Sequence, residues 1–539
     1  MAEMKRNRTA WIFASIVLLA AALRLPALGV RPMHADEAVH AAKLGRLIEQ
    51  GRYEYDPGEY HGPTLNYLTL LPARVSGAAR YADLDEVILR SVPAVSGVLL
   101  VAAHALLVPV VGLPSAAVAA LLAAISPAMV YYSRYYIQET LLVAFSFGAL
   151  VSLCRYLRRP GVGWAVAVGA SVGLMYATKE TWVIAFGSMA LATAMAWTRE
   201  RWRGAMPPRL DVRRPGVHLA AAGLMAIVVA GLFFSSFLTH PGGIVDSVMT
   251  YRNYLVRAGG AEWHVQPWHY YFDLLLFTRV DGGPIWTEGL IVGLAVVGLR
   301  VVWKRAHIPG ADGKVLSILA GYTVIMAAAY AVIPYKTPWC LLGFLHGLVL
   351  LGGVGTIDLW ARFRRPATRG LLAVCLLAAG AHLGWQAWAG SFRFAADPRN
   401  PYVYAHTGTG VFDIARRVEA VAAVHPQRLG MPIEVISGEN LWPLPWYLRR
   451  FTAVRWETAP VKDAGHAPVI LATPDMEPAI VRKLYGWRPP GERELYVPIF
   501  DGTVELRPQV EVRGYAAKSL WDEYQRSMAD LAQSARTSR

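Results

Sequence analysis

Charge is scarce in this chain: only 17% of its 539 residues are Asp, Glu, Lys or Arg, while 55% are hydrophobic. That balance excludes an ordinary soluble domain. Cysteine is scarcer still. Cys154, Cys340 and Cys375 all lie in or beside apolar runs, which excludes a disulfide framework and leaves them as small core residues. No phosphate-cradling or dinucleotide-binding glycine pattern occurs, which excludes an ATP-driven pump or a redox enzyme. Internal repeats and low-complexity blocks are also missing. Acids are fewer than bases, giving a net charge of +15. The basic residues sit in short segments between apolar runs rather than on one soluble face, so nucleic acid is excluded as a partner.

What the chain does have is apolar length. Mean hydropathy is +0.33, carried by uncharged runs near the ~20 residues that cross bilayer hydrocarbon as a helix. Helices are the expected solution because a spanning segment must satisfy its own backbone in lipid. Trp11 to Leu28 exceeds the ~7–15 residue core of a signal peptide and reads as a retained span. Lys5, Arg6 and Arg8 precede it and place the N-terminus in the cytoplasm. Further spans are expected near 88–111, 114–132, 140–157, 162–178, 181–198, 217–239, 285–303, 315–333, 340–360 and 369–390. Threaded alternately, these roughly 11 spans put every Arg-dense short loop on one side.

The fold class expected is therefore mainly α: a polytopic transmembrane bundle over 1–390, with outer loops at 31–87 and 240–284. An odd span count sends the remainder outside. Residues 391–517 read as a small extracytoplasmic α/β domain, with strands at 432–437 and 468–472 and short helices at 444–450 and 476–485. Residues 518–539 read as a polar tail with frayed last residues.

Chemistry-bearing residues gather at the outer ends of the spans. His34-Ala35-Asp36-Glu37-Ala38-Val39-His40 follows the first span. Adjacent carboxylates in a membrane-edge cleft suit a general base that takes a proton from a hydroxyl, although Asp36 could instead open the helix of residues 36–50. Tyr53 to Pro63 alternates aromatics with acids. Glu59, Tyr60 and His61 there suit sugar binding, or a turn before an interfacial helix at 64–75. A divalent metal is a candidate cofactor, with Glu59 and His61 as ligands completed by His264 and His269 of the second loop, though the spacing is not diagnostic.

Ser133 to Glu139 places Arg134 and Glu139 around Tyr135 at membrane depth, where ionisable groups are costly and mark function unless they merely pin two helices. Lys179 with Glu180 poses the same choice. In Ile333 to Trp339, two prolines hold Lys336 between Tyr335 and Trp339. A lysine there suits a lipid phosphate as a mobile point charge, and an ordinary snorkelling lysine competes with that reading.

Together these residues resemble the GT-C glycosyltransferase superfamily, whose well-described members include protein O-mannosyltransferases and lipid A aminoarabinose transferases. Asp36 to His40, Tyr60 to Pro63, Ser133 to Glu139, Lys179 to Thr181 and Tyr335 to Trp339 are similar to a prokaryotic subgroup labelled flippase-activity-associated or mannosyltransferase-like membrane proteins. Trp442 to Leu448 also looks like that subgroup. The resemblance implies inverting transfer of a sugar from a polyprenyl-phosphate donor to a protein, glycan or lipid acceptor at the outer face of the cytoplasmic membrane. It implies Asp36 as base with Glu37 beside it. It also implies Lys336, Arg134 and Lys179 on the donor phosphate, and His61, Glu59, Tyr60, Tyr135, Glu139, Glu180, Tyr335 and Trp339 around the substrates. The chain lacks the extra lumenal domain of the mannosyltransferases. The competing class is a lipid-carrier transporter or flippase accessory with no chemistry of its own, and a non-catalytic assembly subunit is a third reading.

Overall fold

The computed structural model describes residues 2–58, 61–202, 215–258, 264–305, 308, 310–462, 467–487 and 489–537. Two compact units emerge. The first comprises Met1–Val30, Arg46–Gly77 and Asp85–Tyr404, and the second Arg31–Gly45, Ala78–Leu84 and Ala405–Arg539.

The first unit is helical. α1 (Ala2–Arg24) leads to α2 (Ala35–Gln50), whose later turns belong here, and then to α3 (Thr64–Val75). α4 (Glu86–Ala103) continues through a 3₁₀ turn into α5 (Val108–Val111). There follow α6 (Leu113–Ile125), α7 (Pro127–Ser133), α8 (Glu139–Arg158), α9 (Val162–Tyr176), α10 (Trp182–Trp202) and α11 (Pro215–Phe234). The second loop carries α12 (Gly242–Ala258) and α13 (Tyr270–Leu276), before α14 (Gly289–Lys304), α15 (Gly313–Val332), α16 (Leu342–Arg362) and α17 (Pro366–Trp388).

Six of these stretches are long and apolar enough to cross a membrane, or seven if the bent pair α6 and α7 is one span. The sequence led us to expect about 11. α9 and α14 fall short of that standard at 15 and 16 residues. The bend between α6 and α7 is 60°, and its cause is local. Pro127 cannot donate to the preceding turn, so it restarts the helix instead of continuing it.

Small residues let these helices close on one another, as in other membrane bundles. α16 packs against α6, α8 and α14. A Cβ at Gly355 of α16 would stand 2.0 Å from the Leu294 carbonyl of α14.

The second unit is built on a six-stranded mixed sheet: β1 (Ile433–Ile436), β2 (Val454–Glu457), β3 (Val469–Ala472), β4 (Tyr496–Pro498), β5 (Val504–Arg507) and β6 (Val510–Ala517). The order is β2-β1-β3-β6-β4, with β5 also paired to β6. β1 runs parallel to both β2 and β3, Ile433 lying opposite Val454 and Val469. β1 and β3 are buried throughout, as strands in a covered parallel arrangement should be, and the one acid in them, Glu434 of β1, is paired with the buried Lys483. Around the sheet lie α18 (Gly410–Val424), α19 (Leu444–Tyr447), α20 (Glu477–Val481) and α21 (Lys518–Thr537).

Two expectations change here. The terminal segment is a helix through Thr537, and it packs on α18 with Leu520 and Tyr524 buried. The second unit also takes in Arg31–Gly45 and Ala78–Leu84, so it does not begin at 391. The reason is side-chain bonding within it. The Met33 N–H donates to the Tyr447 hydroxyl at 2.8 Å, and Arg449 donates to the Leu84 carbonyl at 2.7 Å. The Tyr81 ring meets Trp446 edge-on.

Candidate functional site

The Asp36-Glu37 motif occupies the first turn of α2, in the second unit. The two carboxylates have different environments. Glu37 is fully buried, pairs with Arg31 at 3.0 Å and accepts the His34 N–H at 2.9 Å. His34 in turn accepts the Asp36 N–H through Nδ1 at 3.1 Å. This is a reciprocal capping arrangement with histidine at the cap, and it satisfies helix-end donors. The His34 ring also stacks on His406. Asp36 is therefore not the residue that caps α2. Its side chain is 51% exposed, with His34 Nδ1 3.8 Å away.

Arg134 caps a different helix. Its guanidinium donates to the carbonyls of Arg24 (2.8 Å), Pro26 (2.7 Å) and Ala27 (3.0 Å), and it lies over the Phe392 ring. Those carbonyls end α1 and have no partners within it. Arg24 repeats the pattern, donating to Ala123 and Ala124 at the end of α6. Arg90 takes the Leu28 carbonyl at 2.7 Å. Tyr135 is buried, and its hydroxyl meets that of Tyr131 at 2.9 Å. In this structure Arg134 holds the end of α1, and Tyr135 packs beside Tyr131 and Tyr132.

Lys179 and Glu139 form a buried ion pair. Burial works against the Lys179 charge, but the charge and hydrogen bond of Glu139, together with Cys340 and Tyr330, hold the ammonium above its ordinary pKa. Glu139, Lys179, Trp339 and Cys340 line one small cavity, so three of the sequence motifs converge there. Next to it, Glu180 accepts the Tyr55 hydroxyl at 2.9 Å and pairs with His61 Nδ1 at 2.7 Å. Gly62 permits this, because a Cβ there would stand 2.2 Å from the Ala177 carbonyl. Glu59 and Tyr60 lie outside the described residues.

Lys336 sits in a loop that bridges to the segment between α12 and α13. Val265 and Tyr335 form an antiparallel bridge, and the Lys336 N–H donates to the His264 carbonyl at 3.0 Å. Its buried ammonium contacts the carbonyls of Ile333 and Gln266. Among the described residues no carboxylate pairs with it, and burial lowers its pKa. Tyr335 is half-exposed against the His264 ring, whereas Trp339 is buried beside Tyr132 and Tyr404.

The metal candidates have separate partners: His61 with Glu180, His264 with Tyr404 and His269 with Asp273. Among the described residues no group of three or more His, Cys, Asp or Glu could hold a metal ion.

Glu288 escaped the sequence reading. It is fully buried and accepts Ser126 Oγ and the Ala128 N–H, each at 2.9 Å, at the break between α6 and α7. An acid at the head of an apolar run was the available signal.

Residues 61–234 match the family described as dolichyl-phosphate-mannose-protein mannosyltransferase. No curated relative matches the chain by sequence. Among solved structures, ArnT from Cupriavidus metallidurans in the apo state is similar with a TM-score of 0.63 at 14% identity, over 94% of this chain and 98% of that one. The same enzyme bound to undecaprenyl phosphate matches over the same shares, with a TM-score of 0.59 at 15% identity. The archaeal oligosaccharyltransferase AglB from Archaeoglobus fulgidus, in complex with an inhibitory peptide and a dolichol-phosphate, matches with a TM-score of 0.54 at 13% identity. That match covers 88% of this chain and 70% of AglB. The chain has the GT-C fold that its motifs resemble.

Proposed function

We propose that this chain is a GT-C-type glycosyltransferase that moves a sugar from a polyprenyl-phosphate donor to an acceptor at the outer face of the cytoplasmic membrane, inverting the anomeric centre. The observation that carries the chemistry is local. In the motif that opens the first loop, Glu37 is consumed by Arg31 and the helix end, while Asp36 stands exposed. Asp36 is the general base. It takes the acceptor proton as the acceptor oxygen bonds to the anomeric carbon, and the polyprenyl phosphate leaves with the electrons of the broken C–O bond.

Lys336 holds the donor phosphate. Lys179 is paired with Glu139 and Arg134 is spread over three carbonyls at the end of α1, whereas the Lys336 ammonium meets the carbonyls of Ile333 and Gln266, which leave its charge uncompensated toward an anion. Lys179 and Arg134 act as positioning residues, the first through Glu139 and the second through the end of α1. An oriented charge that need not reorganise during reaction is the larger part of such catalysis. The likeness to ArnT with undecaprenyl phosphate supports a polyprenyl carrier as donor.

In this reading the chain crosses the membrane 11 times, counting α6 with α7 as one span and adding α1, α9, α10 and α14 to those that meet the length and apolarity standard. Lys5, Arg6 and Arg8 keep the N-terminus inside, and the sheet domain lies outside.

The test is purified protein incubated with radiolabelled polyprenyl-phosphate sugar and candidate acceptors. Label on the acceptor is expected. Lipid movement across the bilayer without bond cleavage would replace this proposal with the transporter class.

A further inference from the structure

The second unit holds a cavity of about 400 Å³ beyond the carboxyl ends of β1 and β2. Ligands of open α/β sheets collect at the carboxyl ends of parallel strands, and this volume is within the range of small-molecule sites. Its lining is mixed. Trp442 and Trp456 supply two indoles, Glu439 and Glu457 two carboxylates, and Asn440 and Thr458 an amide and a hydroxyl. Trp456 is 43% exposed although it stands in a strand. That costs apolar burial, which a ligand face would restore.

Side chains bonded to the backbone hold the loop. The Ser437 hydroxyl accepts the Glu439 N–H at 2.9 Å, and Asn440 Oδ1 accepts the Trp442 N–H at 2.9 Å. Arg507 takes the Asn440 carbonyl at 2.6 Å. Neither glutamate forms an ion pair among the described residues. No lysine or arginine lines the cavity.

We infer that this cleft binds a saccharide that is neutral or bears an amine. Indole faces stack on the C–H faces of pyranose rings, while carboxylates and amides take the hydroxyl hydrogen bonds, which an apolar ligand would leave unmade. Two carboxylates without a basic partner repel a phosphate or a uronic acid. The cleft is thus matched against the phosphate-bearing donor and toward a glycan. Resting on the transferase reading above, this names the acceptor class: a molecule that already carries a neutral or amino sugar.

The experiment is saturation-transfer NMR on the full-length protein in detergent, with mannotriose, maltotriose, the glucosamine trimer and trigalacturonic acid. At least one neutral or amino trisaccharide is expected to bind, and trigalacturonic acid is not. Trp456→Ala should weaken binding at least 10-fold. The isosteric Glu457→Gln should weaken it several-fold and narrow the discrimination against trigalacturonic acid. No binding by any neutral or amino trisaccharide overturns the inference. So does equal binding of trigalacturonic acid, or unchanged affinity in Trp456→Ala. Sugar transfer is read separately. Trp456-dependent binding in a protein that transfers nothing would retain this site and remove the transferase reading. Transfer without such binding would do the reverse.

Discussion

Replacing Asp36 and replacing Glu37 are expected to fail in different ways. Asp36→Asn removes a base from an exposed position and should lower kcat by about 10²–10⁴-fold while the melting temperature holds. Glu37→Ala breaks a buried ion pair and a helix cap, at a cost of about 3–5 kcal/mol. Its loss of activity should track a fall in melting temperature. Equal thermal stability of the two variants would contradict this division. Lys336 adds a pH signature. Burial lowers its pKa, so its charge is present below that value and is lost as pH rises through it, before the ordinary lysine value of about 10.4. Donor affinity should fall on that alkaline limb, and Lys336→Arg should move the limb upward, since arginine keeps its charge. A limb that stays in place would remove Lys336 from the phosphate. Asp36 and Lys336 draw notice in the sequence as charged residues at the ends of apolar runs. The sequence could not show which of two adjacent carboxylates is consumed, because that depends on Arg31 and His34 folding back on Glu37.

At the scale of elements, apolar length was the legible part. α3 begins and ends at Thr64 and Val75, as expected from Pro63 and the apolar run, and β1 and β3 lie within the two strands read from the sequence. β2, β4, β5 and β6 were not legible. They are partly exposed, and their pairing is set by partners distant in sequence, such as Val469 opposite Ala516. The arginine caps were hidden for the same reason, since Arg134 and the Pro26 carbonyl are separated by 108 residues. Close approach yields a test at this scale. Gly62→Ala places a Cβ against the Ala177 carbonyl, a backbone atom that cannot turn away. It should break the His61–Glu180 contact and destabilise the first unit, whereas Gly51→Asn, at a positive φ with open space around it, should be tolerated. Comparable loss in both variants would show that the contact at Gly62 has no special weight.

For the molecule as a whole, the chain combines a helical GT-C unit with a sheet unit that reclaims the segment carrying Asp36. The proposed base and the proposed saccharide cleft therefore belong to one unit. Span counting from sequence captured the membrane character, but not this sharing of residues 31–45 and 78–84, which hydropathy does not encode. The central claim is that Asp36 drives sugar transfer from a polyprenyl-phosphate donor. Its most direct test is single-turnover transfer from radiolabelled polyprenyl-phosphate sugar by the reconstituted wild type and Asp36→Asn, with donor binding measured in both. Equal donor binding is expected, with transfer by Asp36→Asn slower by about 10²–10⁴-fold. Undiminished transfer by Asp36→Asn would contradict the account.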